Sequence, residues 1–302
     1  MGGGAGRVSG RAVAKRAPLA MQPPGPLLLS VSRSPAAEWD ARRFPFSVPA
    51  LREFESLDCN APVTLFVGEN GTGKSTLLEA LAVAADLPAL GSDAPREDPT
   101  LQAARTLASA LRLAWRVRQR HGFFLRAEDY FGFIKELTRE RAAMERELAD
   151  LEAEYTAERR TGLALGLAQG PLRSSLADMT RRYGRDPDAR SHGESFLDAF
   201  TGRIVAGRGL YLLDEPEAAL SPQRQLAFVG LVLERVATGA QFIIATHAPI
   251  VLALALAVPG ARLYSFDDGP PAATTYDELP HVILTREFLA GPERYLRHLG
   301  TG

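Results

Sequence analysis

The sequence predicts an α/β fold built on a parallel sheet. Three observations carry this. Val63–Val67 (VTLFV), Leu210–Leu213 (LYLL) and Gln241–Ala245 (QFIIA) have the length and composition of strands buried on both faces. Each run gives way to glycine or polar residues, not to another apolar stretch. After the first run, a glycine loop leads into the helix formers Leu77–Ala82.

Composition narrows the class. With 302 residues, 46% hydrophobic and 24% charged, the chain can bury a sizeable core, as one large domain or two small ones. A formal net charge of −1 excludes a general polyanion binder but leaves room for a local basic face. The one cysteine, Cys59, cannot form a disulfide within the chain, which fits a reducing, cytoplasmic setting. It lies in the turn-like LDCNAP without a nearby histidine and reads as a small half-buried side chain, not a nucleophile. No apolar run approaches the ~20 residues of a membrane helix, so no direct membrane insertion is expected. Ile250–Val258 reads as a buried helix. Residues 1–26 are basic, rich in Gly, Ala and Pro, and lack the apolar centre of a secretory signal; they read as a disordered tail. Met21 is an alternative start. Residues 27–302 read as a single domain.

The loop after the first strand is GENGTGKST: Gly68, Glu69, Asn70, Gly71, Thr72, Gly73, Lys74, Ser75 and Thr76. Its glycines let backbone N–H groups turn inward as an anion nest. The following helix adds the partial positive charge of its N-terminus. A lysine there reaches the β- and γ-phosphates and a hydroxyl ligates Mg²⁺. Lys74 and Ser75 occupy those places, which implies ATP and Mg²⁺.

Phosphoryl chemistry also needs a carboxylate for the metal and a group to orient water. Asp214 and Glu215 end the second strand. Neighbours in a strand face opposite ways, so Asp214 is suited to the metal shell with Ser75, and Glu215 to general-base work. His247 follows the third strand, at the carboxyl edge where open α/β sheets bind ligands, and is placed to contact the γ-phosphate or the water. Ser191-His192-Gly193-Glu194-Ser195 precedes the helical FLDAF and reads as a further anion-binding turn.

In this order the four motifs resemble those of ABC-type ATPases. GENGTGKS looks like Walker A, LYLLDEP like Walker B with Glu215 as catalytic base, Glu217–Ser221 like the D-loop, THAP like the switch histidine, and SHGES like a variant signature with Arg190 and His192 at two altered positions. The resemblance runs from about Arg33 to the C-terminus, whose HVILTREFLAGPERYLRHL also fits. It is nearest to stand-alone, AAA-family predicted ATPases, with similar heads in the SMC/RecF class. It implies a P-loop NTPase of ABC-ATPase head type with a helical insertion. It also implies an ATP-dependent homodimer, in which Ser191, Gly193 and Glu194 of one subunit complete the ATP site of the other. Heads of this type carry a glutamine that touches metal and water. Here Gln119 lies upstream of Gly122–Tyr130, and Arg126 or Glu128 stands within it; an aromatic strand edge packed on the core is the other reading. Phe44 or Phe46 is a candidate to stack on adenine.

The insertion spans about residues 92–190. Ile134, Leu137, Arg141, Met144, Leu148, Leu151 and Tyr155 recur three and four apart. They read as an amphipathic helix packed on the head, or as a short coiled-coil arm. Gly162–Gly170 reads as a turn between helices. Arg173, Arg181, Arg182, Arg185 and Arg190 form a solvated face or a phosphate-contacting patch. The arginines and the head type favour nucleic-acid maintenance as the role. The near-zero charge favours a protein client, as in a defence or stress system. A soluble transporter subunit is the third reading.

Overall fold

The computed structural model describes residues 25–89, 102–118, 121–157, 162–183, 200, 201, 204 and 207–299. The elements run β1 (Leu28–Arg33), α1 (Pro49–Arg52), β2 (Ser56–Asp58), β3 (Val63–Val67), α2 (Lys74–Ala85), α3 (Gln102–Ser109), β4 (Leu111–Trp115) and β5 (Gly122–Arg126). Then come α4 (Ala127–Ala157), α5 (Leu163–Tyr183), β6 (Leu210–Asp214), α6 (Pro222–Ala237), β7 (Gln241–Ala245), α7 (Pro249–Leu252) and α8 (Leu254–Ala257). The chain closes with β8 (Arg262–Ser265), β9 (Ala272–Ala273), α9 (Pro280–Ala290) and α10 (Pro292–Leu299).

The main sheet has the order β5-β6-β7-β3-β8-β9. Its first five strands are parallel and β9 is antiparallel to β8. All three strands expected from the sequence are in it, and all are buried along their length. The apolar runs lack polar alternation because both faces are covered. Val63, Leu65 and Val67 join a core with Phe228 and Val232 of α6, whereas Phe66 joins a core with Leu77, Leu78 and Leu81 of α2. Parallel strands place their carboxyl ends on one edge, so the chain leaving β3, β5, β6, β7 and β8 gathers there.

A second, antiparallel sheet, β2-β1-β4, packs on the α2 side. Gln241 joins the two sheets. Its Oε1 accepts from the backbone N–H of Leu27 (2.9 Å) and Leu28 (2.8 Å), and its Nε2 donates to the carbonyls of Leu28, Cys59 and Ala61. The side chain is buried, so a Gln241→Leu exchange removes five hydrogen bonds to backbone groups shielded from water, of which the Cys59 carbonyl keeps a second partner, Ala61 N–H. We expect it to cost on the order of 3 kcal/mol or more, read as a lower denaturation midpoint with little change in slope. Cys59 is fully buried, more so than its sequence suggests, and burial pushes its thiol up to about 12. It is not a nucleophile.

The region expected as a helical insertion also contains strands. Residues 111–115 alternate half-buried and exposed in β4, the period of two that LRLAW carries, and β5 buries Phe123, Phe124 and Leu125. The aromatic strand-edge reading of Gly122–Tyr130 therefore holds for its first half. β5 passes directly into α4, a 31-residue helix against which α5 packs. Along 138–157, Arg141, Met144, Leu148, Leu151 and Tyr155 are half-buried between exposed neighbours, and Gln169 Nε2 reaches the Leu148 carbonyl at 3.5 Å. The seam therefore faces α5, as in a short helical hairpin; the side chains of Ile134 and Leu137 lie outside the described residues. The expected turn at Gly162–Gly170 is corrected: all of it after Gly162 is helix, the first turns of α5. Its leucines and alanines are good helix formers, and the packing of Leu165, Ala168 and Gln169 outweighs the roughly 1 kcal/mol each glycine costs. The stretch Ile250–Val258 forms two short helices, α7 and α8, with Leu256 65% exposed.

Candidate functional site

The glycine loop joins β3 to α2 at the common carboxyl edge. Gly73 precedes α2 at φ 111°, and a Cβ there would lie 2.5 Å from Val48 Cγ1. Only glycine satisfies both the backbone and the space. No side chain caps the N-terminus of α2, so its first N–H groups remain available to an anion. Lys74 is buried at the head of α2, and its Nζ donates to the carbonyls of Gly68 and Glu69. Burial lowers the pKa of this ammonium, partly opposed by Glu215, Asp214, Asp267 and Glu69. Glu69, Asn70 and Gly71 form the exposed crest, and Thr72 Oγ1 donates to the Glu69 carbonyl at 2.9 Å. Thr76 lies in the first turn of α2.

Ser75 Oγ donates to Asp214 Oδ1 at 3.1 Å, which brings the loop and the β6 terminus together as expected. A hydroxyl and a carboxylate side by side suit a hard divalent cation such as Mg²⁺. Among the described residues no group of three His, Cys, Asp or Glu could hold a metal. Burial pushes Asp214 up to about 7, opposed by the Ser75 hydrogen bond. An acid whose folded pKa exceeds its unfolded value is destabilising when ionised. Without metal or nucleotide, stability therefore falls as pH rises from about 4 to about 7. Asp214→Asn should flatten that slope and leave the variant a few kcal/mol more stable than wild type at pH 8, measured by denaturation across pH.

Arg126 ends β5 in register with Asp214, and its guanidinium pairs with Glu79, one turn beyond Ser75 on α2. Of the three candidates for the glutamine position, Arg126 is brought to the site. Gln119 and the Glu128 side chain lie outside the described residues. A guanidinium only donates, so Arg126 cannot ligate a metal as a glutamine carbonyl does.

Glu215 adopts a left-handed conformation (φ 48°, ψ 50°) directly after β6. This left-handed turn, not strand alternation, sets the direction of its side chain. Its Oε1 lies 3.6 Å from His247 Nε2, so the two expected catalytic groups do meet. Two further acids carry the frame: Glu217, which the sequence places only at the head of the D-loop, and Asp267, which it does not single out. Glu217 Oε1 accepts from Thr246 Oγ1 (2.6 Å), His247 N (2.8 Å) and Ala248 N (3.1 Å), which fixes the turn bearing His247. Asp267, after β8, accepts from Glu69 N at 2.6 Å and anchors the loop. The available signal was a fourth apolar run, Leu263–Phe266, also ending in an acid.

Ser191, Gly193 and Glu194 lie outside the described residues, as do Arg185, Arg190 and the side chain of Arg182. Arg181 is paired with Asp178 on its own helix, which fits a solvated face. Phe46 is buried, with its ring 4.7 Å from that of Trp39, and borders the same cavity as Phe44. Phe44 is 65% exposed and lines a cavity of about 360 Å³ with Asp40, Arg43 and Thr106.

Two family profiles match the chain: an AAA domain over residues 45–109, and "AAA domain, putative AbiEii toxin, Type IV TA system" over residues 96–253, more than half of the chain. The nickel import ATP-binding protein NikO of Rhodobacter capsulatus is 32% identical over 198 residues, 63% of this chain and 69% of that protein. The cobalt import ATP-binding protein CbiO of Salmonella typhimurium is 29% identical over 187 residues, 62% of each chain. The match thus spans just under two thirds of the cobalt protein. Among solved structures, the ADP conformation of an ATP-binding cassette of an ABC transporter covers 91% of this chain and 99% of its own, with 17% identity and TM-score 0.42. The SMC head domain from Thermotoga maritima covers 82% and 98%, with 14% identity and TM-score 0.40.

Proposed function

We propose a function from one premise: the chain belongs to the AAA-domain family of P-loop ATPases, of ABC type. On that premise it binds ATP with Mg²⁺ and hydrolyses the terminal phosphate. The observation that carries this reading is the Ser75–Asp214 hydrogen bond, which ties the glycine loop to the β6 carboxylate, with Glu215 and His247 beside it.

The residues divide the work. The inward N–H groups of the loop and the start of α2 hold the phosphates. Lys74 exchanges its two loop carbonyls for phosphate oxygens. Ser75 and Asp214 would hold Mg²⁺, which would neutralise phosphate charge. Glu215 orients the attacking water and accepts its proton as general base. His247, held by Glu217 through its own backbone N–H, faces Glu215 and contacts the γ-phosphate.

Such a site is half of a dimeric one. In our reading Ser191, Gly193 and Glu194 of a second copy close over the nucleotide, so ATP joins two chains and hydrolysis separates them. The purpose we favour for this switch is nucleic-acid maintenance. A protein client in a defence system is the alternative, supported by the family's toxin–antitoxin description. A transporter subunit is the third, supported by the names of the nickel and cobalt relatives. No described helix is long and apolar enough to cross a membrane. Phosphate release measured with and without duplex DNA, at two salt concentrations, separates them. Stimulation that fades with salt supports the DNA role. Indifference to DNA sinks it and directs the search to co-purifying proteins.

A further inference from the structure

His281 has no task in the account above. It lies in the first turn of α9, and its Nε2 is shielded from solvent without a hydrogen-bond partner among the described residues. Native structures rarely leave a buried polar atom unpaired, and such an atom points to a missing partner. His247 Nε2 is in the same condition.

The position of His281 indicates what the partner is. Leu279 and Val282, on either side of it, share a core with Val67, which precedes the glycine loop, and with Ala248, which follows His247. The titratable groups acting on it are His247, Asp267 and Glu69. These three mark the turn after β7, the end of β8 and the loop itself, and Asp267 is hydrogen-bonded to Glu69 N. His281 therefore stands on the His247 side of the cradle, near the Asp267–Glu69 contact that anchors the loop. Burial first, then the neighbouring His247, lowers its affinity for protons, so the ring is neutral at pH 7.

We propose that His281 is a second histidine of the nucleotide site, donating from Nε2–H to the terminal phosphate and so setting the preference for ATP over ADP. The proposal rests on the ATP-site reading given above. A neutral imidazole has one N–H donor, and placing it on Nε2 satisfies the unpaired atom with the one substrate group that ADP lacks. A hydrogen bond to a charged oxygen corresponds to about tenfold or more in affinity.

The test is equilibrium binding of ATPγS and ADP, each with Mg²⁺, to the full chain by titration calorimetry. His281→Phe should weaken ATPγS about tenfold or more and leave ADP within about twofold. His281→Gln, which retains an N–H donor, should recover part of the loss. His281→Ala gives the same comparison if the larger ring disturbs folding, and melting temperature without nucleotide controls for stability. Equal weakening of both nucleotides would make His281 a support of the loop and overturn the proposal, as would no change in either. Wild type binding neither nucleotide would instead refute the ATP-site reading on which it rests.

Discussion

Glu215→Gln should abolish steady-state turnover while leaving ATP binding intact. The exchange keeps the size of the side chain and removes only its capacity to take a proton. Glu215 is partly exposed, lies outside the Ser75–Asp214 contact, and is aimed at His247 by its left-handed backbone. Its charge helps to keep the Lys74 ammonium protonated, together with Asp214, Asp267 and Glu69, which all remain in the variant. General-base catalysis contributes roughly 10²- to 10⁴-fold, and a loss in that range is expected in phosphate release. Affinity for ATP should hold or rise, since one negative charge near the phosphates is removed. A variant that still turns over within a few fold of wild type would remove Glu215 from the chemistry.

Lys74→Ala should act at the earlier step. Without nucleotide the ammonium is buried and is held by two carbonyls of its own loop. Burial disfavours its charge, and the surrounding carboxylates only partly compensate. The cation therefore does not hold the fold together; it is kept ready for phosphate. Its removal should weaken ATP by about 10²-fold or more, the scale of two charge-assisted hydrogen bonds. The melting temperature without nucleotide should stay within a few degrees of wild type. Calorimetric titration and thermal unfolding read the two expectations separately. A large fall in melting temperature with unchanged affinity would reverse the assignment.

The two variants concern the part of the molecule that a sequence displays best. The glycine loop is contiguous, and its geometry follows from Gly73, Lys74 and the start of α2, so nine adjacent residues declare it. Asp214, Glu215 and His247 are legible because each ends an apolar run, and parallel strands bring such ends to one edge. The holding roles of Glu217 and Asp267 are not legible in sequence because their partners are backbone N–H groups in distant segments, at His247 and Glu69. Which strand ends become neighbours depends on the order β6-β7-β3-β8, which local pattern does not encode. Gln241 was read as the opening of a strand for the same reason: its five contacts cross to β1 and the segment after β2. The 92–190 region reads as helical because its longest pattern, Ile134–Tyr155, repeats three and four apart, whereas the alternation in β4 lasts only five residues. In α5, Gly162–Gly170 shows tertiary packing overriding a local turn signal.

The central claim is that ATP drives two copies of this chain together and hydrolysis parts them. The most direct measurement is ATP turnover per chain as a function of protein concentration, from well below to well above the association range, with Glu215→Gln as the blank. The account predicts a rate per chain that climbs with concentration and then levels, accompanied by an ATP-dependent dimer that Glu215→Gln traps. A rate per chain that is flat across the whole range, with a monomer throughout, would contradict it.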